Sequence, residues 1–339
     1  MQEIGELDLL AAQLPEGMRL PEPDDDLLQG RAEWLFERDG GRRVLAQMRG
    51  DLMLSRKAAL RWLFVLESRI AWLGERGIPY VFGVAPCKTA VLAEHLPLGV
   101  VLFPRRPVNQ LQHRIAEDES FAEVVYPVDE LRAESAARPT FSAHDSRWNS
   151  NGAFVGYRRL LASIPPSIDV RRLARGDIGF GQRPAHGDLG HKLDAAQKRP
   201  ALVGAPHPRA ARLVSDNRVE GEGRMLVTHC EPAPPATCLF FGDWAAYRLL
   251  TYMSESFRRM VFVHLHALDH ELVEVERPDV VVGLADEAGL IDVPADMEAP
   301  RARELAARKL SAGRGSMPGL APLWGQSSAE TVVAAAPAT

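Results

Sequence analysis

The sequence contains very little cysteine, with only Cys87, Cys230 and Cys238 among 339 residues. An odd number of cysteines without a C-x-x-C pair argues against a disulfide framework and against a structural zinc site. A reducing compartment is the simplest interpretation. The sequence also lacks a run approaching the roughly 20 apolar residues that cross a bilayer, and its acidic start lacks the basic and apolar regions of a signal peptide. These absences predict a cytoplasmic protein without a membrane span.

An excess of positive charge is missing as well. The formal net charge is -5 and the isoelectric point is near 6.1, so nucleic acid is not expected as a partner. Hydrophobic residues make up 46% of the chain and charged residues 25%, which is ordinary for a globular protein. The length suits one large α/β domain with insertions.

Apolar runs alternate with amphipathic segments along most of the chain. Strands are predicted at 80–86, 124–128, 238–242, 260–265 and 279–284. Helices are predicted between and around them, at 52–76, 129–137, 152–164, 245–259 and 268–276. Continuous apolar strands separated by helices of this length indicate a mostly parallel sheet with helices on both faces.

The predicted domain spans 27–298. Residues 1–26 are expected to be a poorly ordered lead-in, and 299–339 a short helix followed by a disordered tail rich in Gly, Ser, Pro and Ala. Between 165 and 235 the alternation weakens into Gly-, Pro- and Arg-rich sequence with short strands. We interpret this part as an insertion over the carboxyl edge of the sheet, where open α/β sheets bind ligands.

Six short motifs follow one another along the chain. They are GRAEWLFERDG (30–40), RGIPYVFGVAPCKTAVLAEHLP (76–97), DSRWN followed by GA (145–153), GDLGHKL (187–193), FFGDW (240–244) and RPDVVV (277–282). Each resembles a motif of the SGNH-hydrolase-like alginate O-acetyltransferases of the AlgJ/AlgX type, in the same order. The resemblance covers roughly 27–294 and implies a flavodoxin-like α/β fold.

In that family the resemblance implies a Ser-His-Asp triad that moves acetyl groups to or from a glycan hydroxyl. Asp145 matches the carboxylate of the triad, but Arg147 stands at the histidine position and Trp244 at the serine position. A guanidinium stays protonated and cannot act as the base, and an indole offers only an N–H donor. The usual mechanism is therefore excluded at these positions, and the chain is predicted to be a degenerate member, or pseudoenzyme.

The resemblance also places substrate-binding positions near the triad, namely Trp148, Asn149, Gly187, Asp188, Gly242 and Asp243. Cys87 is an alternative nucleophile, provided that the neighbouring Lys88 lowers its pKa. His144 is an alternative base. The histidines at 264, 266 and 270 lack further ligands at metal spacing, so neither a metal nor a cofactor is expected.

Three hypotheses remain open. The chain is a binding or scaffold protein in glycan modification, with an acidic polysaccharide or glycan-export proteins as partners. Alternatively it is an active O-acetyltransferase or esterase with a relocated nucleophile, or a paralogue without any ligand. Signal-bearing relatives act in the periplasm, which is the alternative location.

Trp244 is expected to contact Arg147, because both replace residues that meet in a triad. Asp145 and Arg147 are expected to form an ion pair. If the cleft beside them is open, an aromatic face and a fixed positive charge suit an acidic sugar. If the indole fills the cavity, no ligand enters.

Overall fold

The computed structural model describes residues 26–193 and 198–312. The predictions for 1–25 and 313–339 lie outside these residues. Within the described chain the strands are β1 (Leu27–Gln29), β2 (Leu35–Glu37), β3 (Tyr80–Ala85), β4 (Val124–Val125), β5 (Ile178–Ala185), β6 (Arg199–Pro206), β7 (Arg212–Asp216), β8 (Met225–His229), β9 (Thr237–Gly242), β10 (Arg259–His264) and β11 (Val280–Asp286).

The α-helices of the same residues are α1 (Val44–Arg49), α2 (Arg56–Gly74), α3 (Lys88–Val91), α4 (Pro107–Glu117), α5 (Val128–Ser135), α6 (Ser150–Ala162), α7 (Gly190–Leu193), α8 (Tyr247–Ser256), α9 (His270–Glu276) and α10 (Ala302–Ser311). None of these helices has both the length and the apolar character needed to span a bilayer. Predicted helices correspond to α2, α5, α6, α8, α9 and α10, whereas α1, α3, α4 and α7 were not predicted.

The central sheet has seven strands in the order β4-β3-β11-β9-β10-β8-β7. The five strands from β4 to β10 are mutually parallel, which confirms the predicted sheet. Strand β4 is shorter than predicted because Pro127 follows shortly after it. Proline has no N–H to donate to the ladder, and α5 starts at Val128.

The sheet is buried on both faces, as its continuous apolar strands predict. In β9, Cys238 and Phe240 face one core, which contains Phe154 and other side chains of α6 and α8. The alternate residues Leu239 and Phe241 face a second core against α9 and the end of α2. Helices therefore cover both faces, and the carboxyl edge is left to the loops.

The segment interpreted as an insertion has two parts. Strands β7 and β8 lengthen the sheet beyond β10, and both of their pairings are antiparallel. Strands β5 and β6 form a separate antiparallel hairpin that packs on α6 and α8. The turn after β5, at 186–190, is the part that reaches the carboxyl edge.

Candidate functional site

The carboxyl ends of β3, β9 and β11 meet at one edge of the sheet. Their register pairs Asp286 with Ala85 and Leu284 with Gly242. The main-chain N–H of Asp286 donates to Asp243 Oδ2 across 2.8 Å. The segments that follow these strands therefore lie side by side, as the motifs predicted.

Trp244 lies on the turn between β9 and α8, and its side chain remains 36% exposed. The indole stacks on Tyr247 with 5.1 Å between ring centroids and meets His264 edge-on, also at 5.1 Å. His264 Nδ1 in turn lies 3.0 Å from the Tyr247 hydroxyl. Burial lowers the pKa of His264 to about 3, so this ring is neutral. The three rings form an uncharged aromatic platform.

Arg147 lies next to that platform. Its Cζ atom is 5.8 Å from the centroid of the Trp244 ring, within the usual range of a cation–π contact. Its Nη2 atom lies 3.3 Å from Asp188 Oδ2. The predicted contact between the two replaced positions is confirmed.

The ion pair predicted between Asp145 and Arg147 is wrong. Oδ2 of Asp145 accepts a hydrogen bond of 2.6 Å from Arg248, which lies on α8. Oδ1 accepts from the main-chain N–H of Arg147, at 3.2 Å. Arg147 turns instead to Asp188, so two ion pairs replace the expected one.

Asp188 holds the turn at 186–190 against the DSRWN motif. Its carboxylate accepts from both the main-chain N–H, at 2.7 Å, and the hydroxyl of Ser146. Burial raises the pKa of Asp188, but these hydrogen bonds and Arg147 outweigh it and lower the pKa overall. Gly187 adopts φ +66°, and a Cβ there would lie 2.0 Å from the carbonyl oxygen of His144. A side chain at Gly187 would therefore separate the two segments.

The other predicted substrate-binding residues are used by the fold. Trp148 is buried and donates from Nε1 to Ala245 O across 3.0 Å. Asn149 caps α6 through the N–H groups of residues 151 and 152. Asp243 accepts from Ala245 N at 2.8 Å. Gly242 lets α8 approach the strand, since a Cβ would lie 2.8 Å from Ala246 Cβ.

A small cavity lies beside Arg147. Its volume is about 20 Å³, and its walls include Glu37, Cys87, Ser146, Arg147 and Asp286. This volume corresponds to about one water molecule. Burial raises the pKa of Glu37 to about 7 and that of Asp286 to about 6. The space beside Arg147 is therefore small and acidic.

Cys87 has the surroundings of an unreactive thiol. It is 5% exposed, and burial together with the nearby Glu287 and Asp286 raises its pKa well above the ordinary value. Lys88, which was expected to lower that pKa, points away from it. The Lys88 ammonium donates to the main-chain oxygens of residues 35, 142, 143 and 145 at 2.7–3.0 Å. The condition for a relocated nucleophile at Cys87 is not met.

The remaining histidines are dispersed. His266 Nε2 lies 3.6 Å from Asp243 Oδ2, whereas His270 packs edge-on against Trp72. His144 contacts the turn at Gly190, and burial is the main cause of its lowered pKa. Among residues 26–193 and 198–312, no three side chains of the metal-ligating types are grouped to hold a metal ion.

Solved structures share this arrangement of strands and helices. PatB1 of Bacillus cereus, in a structure with a sulfonyl adduct, matches 78% of this chain and 95% of its own at 14% identity and a TM-score of 0.59. The O-acetyltransferase domain of Pseudomonas putida AlgJ matches 85% of this chain and 99% of its own at 17% identity and a TM-score of 0.50. This chain has the AlgJ-type fold. The fold class indicated by the motifs is thereby confirmed.

A DHHW family protein of Eubacterium siraeum shares the AlgJ-type fold too, at 11% identity and a TM-score of 0.52, over 71% of this chain and 87% of that one. No protein-family model matches the sequence, and no curated protein matches it. At these identities the likeness establishes the fold, and the chemistry has to be argued from the residues at the site.

Sequence reasoning missed three charged residues of this site, Glu37, Arg42 and Arg248. Arg42 Nη1 lies 3.3 Å from Asp286 Oδ2 and 4.0 Å from Asp243 Oδ2. Arg248 lies one helical turn after Trp244, so its position on α8 was the available signal. Glu37 lies within the first motif, in β2, and Arg42 lies in the turn after β2, but no local pattern assigns either residue to the site.

Proposed function

We propose that this protein is a catalytically degenerate relative of the polysaccharide O-acetyltransferases that binds an acidic glycan without acylating it. It serves as a binding or scaffold protein in glycan modification or export. The observation that carries this proposal is the position of the Arg147 guanidinium beside the exposed indole of Trp244.

Acyl transfer lacks its reacting groups at this site. An indole has no nucleophilic oxygen, and a guanidinium paired with Asp188 does not accept a proton. Asp145, the remaining triad residue, is held by Arg248. The space beside Arg147 has a volume of about 20 Å³, which is about that of one water molecule.

Binding of an acidic sugar matches the groups that are present. Tyr247 stacks on the indole and His264 meets it edge-on, and these contacts fix the position of the ring. Its exposed part offers an apolar surface on which a pyranose ring can stack. Arg147 supplies a fixed positive charge and a planar fork that fits a carboxylate. A ring carrying a carboxylate engages both groups at once.

The test is a titration of the full chain with uronic-acid oligosaccharides, followed by tryptophan fluorescence. We expect a saturable change at millimolar ligand, lost in Trp244→Ala and weakened about tenfold in Arg147→Ala. Trp72→Phe is the matched control, because Trp72 stacks on Arg76 away from this site. A folded protein whose fluorescence does not respond at millimolar ligand refutes the glycan proposal.

The competing esterase hypothesis has its own assay, hydrolysis of p-nitrophenyl acetate. We expect no turnover above that of buffer. Turnover that disappears in Cys87→Ala would show a working nucleophile and overturn the proposal of degeneracy.

A further inference from the structure

An apolar loop at 98–103 lies at the surface after α3. Its side chains alternate between the interior and the solvent. Val100 and Leu102 pack against the core, so they anchor the loop to the protein. Leu98 and Val101 are instead 59% and 76% exposed. Large aliphatic side chains that cluster at the surface of one loop are typical of an interaction site.

The base of this loop is fixed to α1 and to the turn after it. The main-chain N–H of Phe103 donates to Met48 O across 2.7 Å. A Cβ at Gly50 would collide with the Phe103 ring, so this partly exposed ring lies directly over Gly50. Near the start of the loop, a Cβ at Gly99 would meet no atom of the described chain within 4 Å, apart from its own neighbours in sequence. The loop is therefore held at its base and open at its tip.

Met53 extends the same exposed surface. Leu54, the next residue, exchanges main-chain hydrogen bonds with the side-chain amide of Gln110, at 2.8 and 3.2 Å. The preceding residue of α4, Asn109, donates from Nδ2 to Pro104 O across 2.6 Å. These bonds tie the segment around Met53 to the end of the loop, so the exposed Met53 side chain belongs to the same apolar surface.

Basic residues border this apolar surface. The segments 49–57 and 98–105 contain one acidic residue, Asp51, which pairs with Arg49 at 3.4 Å. Their basic residues are all exposed, and they are Arg49, Arg56, Lys57 and Arg105. The whole chain has a formal net charge of -5, so these two segments carry a local excess of the opposite sign. Such a patch attracts a negatively charged partner.

We propose that these apolar and basic side chains dock the protein on a membrane surface that contains anionic lipids. The apolar side chains enter the boundary between head groups and acyl chains, and the basic residues meet the lipid phosphates. A soluble polyanion would bind the cations but leave Leu98 and Val101 in water. A second copy of the chain would bring like charges together across a symmetric contact. This surface goes beyond the glycan-binding proposal and involves neither Trp244 nor Arg147.

The test is sedimentation of the full chain with lipid vesicles, made of phosphatidylcholine either alone or with about one third phosphatidylglycerol. We expect binding to the anionic vesicles at about 1 mM lipid and about 0.1 M salt, and binding at least about tenfold weaker to the neutral ones. Val101→Asp should weaken binding at least about tenfold, because a carboxylate resists entering the apolar layer and is repelled by the lipid charge. Arg105→Gln should weaken it about fivefold.

Val275→Asp is the matched control for Val101→Asp. Val275 is 54% exposed on α9, whose last residue pairs with Arg259 at the amino end of β10, at the edge of the sheet opposite to α3. This variant should bind as wild type does, and so should Trp244→Ala.

Insertion of the loop has its own readout. A Val101→Cys variant labelled with an environment-sensitive dye should shift to shorter emission wavelength on anionic vesicles, since the natural cysteines are buried. Three results overturn the proposal: no binding to anionic vesicles at about 10 mM lipid, binding by the folded Val101→Asp variant that equals wild type, or a dimer of the chain that Val101→Asp separates.

Discussion

Arg248 donates to the Oδ2 atom of Asp145 across 2.6 Å. The one triad residue that the chain retains is therefore held by an arginine from the same helix turn that follows Trp244. In a working triad this carboxylate orients the histidine and stabilises its charged form. Here the charge of Asp145 is already balanced, so restoring the lost residues one at a time cannot restore the chemistry.

Replacing Trp244 and Arg147 by the serine and histidine of the triad tests whether these residues must be restored together. We expect Trp244→Ser alone to show no hydrolysis of p-nitrophenyl acetate above buffer, because no base is present. Trp244→Ser combined with Arg147→His should give a weak rate, and adding Arg248→Gln should raise it by about tenfold, since triad members act as a unit. Activity from Trp244→Ser alone would show that a different base, such as His144, reaches the site.

Glu37 makes stability depend on pH. Its pKa is raised to about 7, mainly by burial and then by the charges of Asp286 and Asp188. A glutamate in the unfolded chain has the model value of 4.5, so the folded state binds this proton more tightly. The contribution of Glu37 to the free energy of unfolding therefore falls as pH rises from 4.5 to about 7.

Glu37→Gln removes that dependence. We expect the variant to be more stable than wild type by about 1 kcal/mol near pH 8 and equal to it near pH 4, a modest figure because Glu37 is only partly buried. Urea denaturation at both pH values measures the difference. The exposed Glu75→Gln is the control and should show no such crossover. An equal effect of Glu37→Gln at both pH values would contradict the raised pKa.

The three thiols should be unreactive in the folded protein. Cys87, Cys230 and Cys238 are all buried and free, and burial raises the pKa of each. We expect a thiol reagent such as DTNB to label none of them in native buffer and all three in denaturant, since the thiolate is the reacting form. Fast labelling of Cys87 in the native protein would revive it as a candidate nucleophile.

Lys88 should be a major contributor to stability. Its Nζ atom lies within hydrogen-bond distance of four main-chain oxygens, which share its three N–H groups. Lys88→Met leaves these oxygens without that donor. We expect a loss of about 2–4 kcal/mol in the free energy of unfolding by urea. Lys57→Met on the exposed face of α2 should change it by less than ~0.5 kcal/mol. Similar values for the two variants would show that the carbonyl oxygens find other partners.

The central sheet could be predicted from sequence because its strands are continuous apolar runs separated by helices. Helix α4 was missed although it carries a signal, with Pro107 at its first turn and Val108, Leu111 and Ile115 on one buried face. The meeting of Arg147 and Trp244 could be predicted from motif order alone. The partners of those residues could not be predicted in the same way.

These partners could not be predicted because a long charged side chain can pair with residues that are distant in the sequence. Whether Asp145 pairs with Arg147 or with Arg248 depends on rotamers and on the placement of α8, which no local pattern specifies. The direction of Lys88 is a similar case, since adjacency to Cys87 along the chain suggested a contact that the fold does not make.

The two outer strands of the central sheet have a further consequence, for the behaviour of the protein in crowded solution. At one side the sheet stops at β4, which has two residues. At the other side β7 carries an irregularity between Leu213 and Ser215, which disturbs the row of free main-chain groups. A strand from another molecule pairs with a long, regular edge strand, and neither β4 nor β7 provides one. Within residues 26–193 and 198–312, backbone shape at both edges therefore disfavours sheet-to-sheet polymerisation.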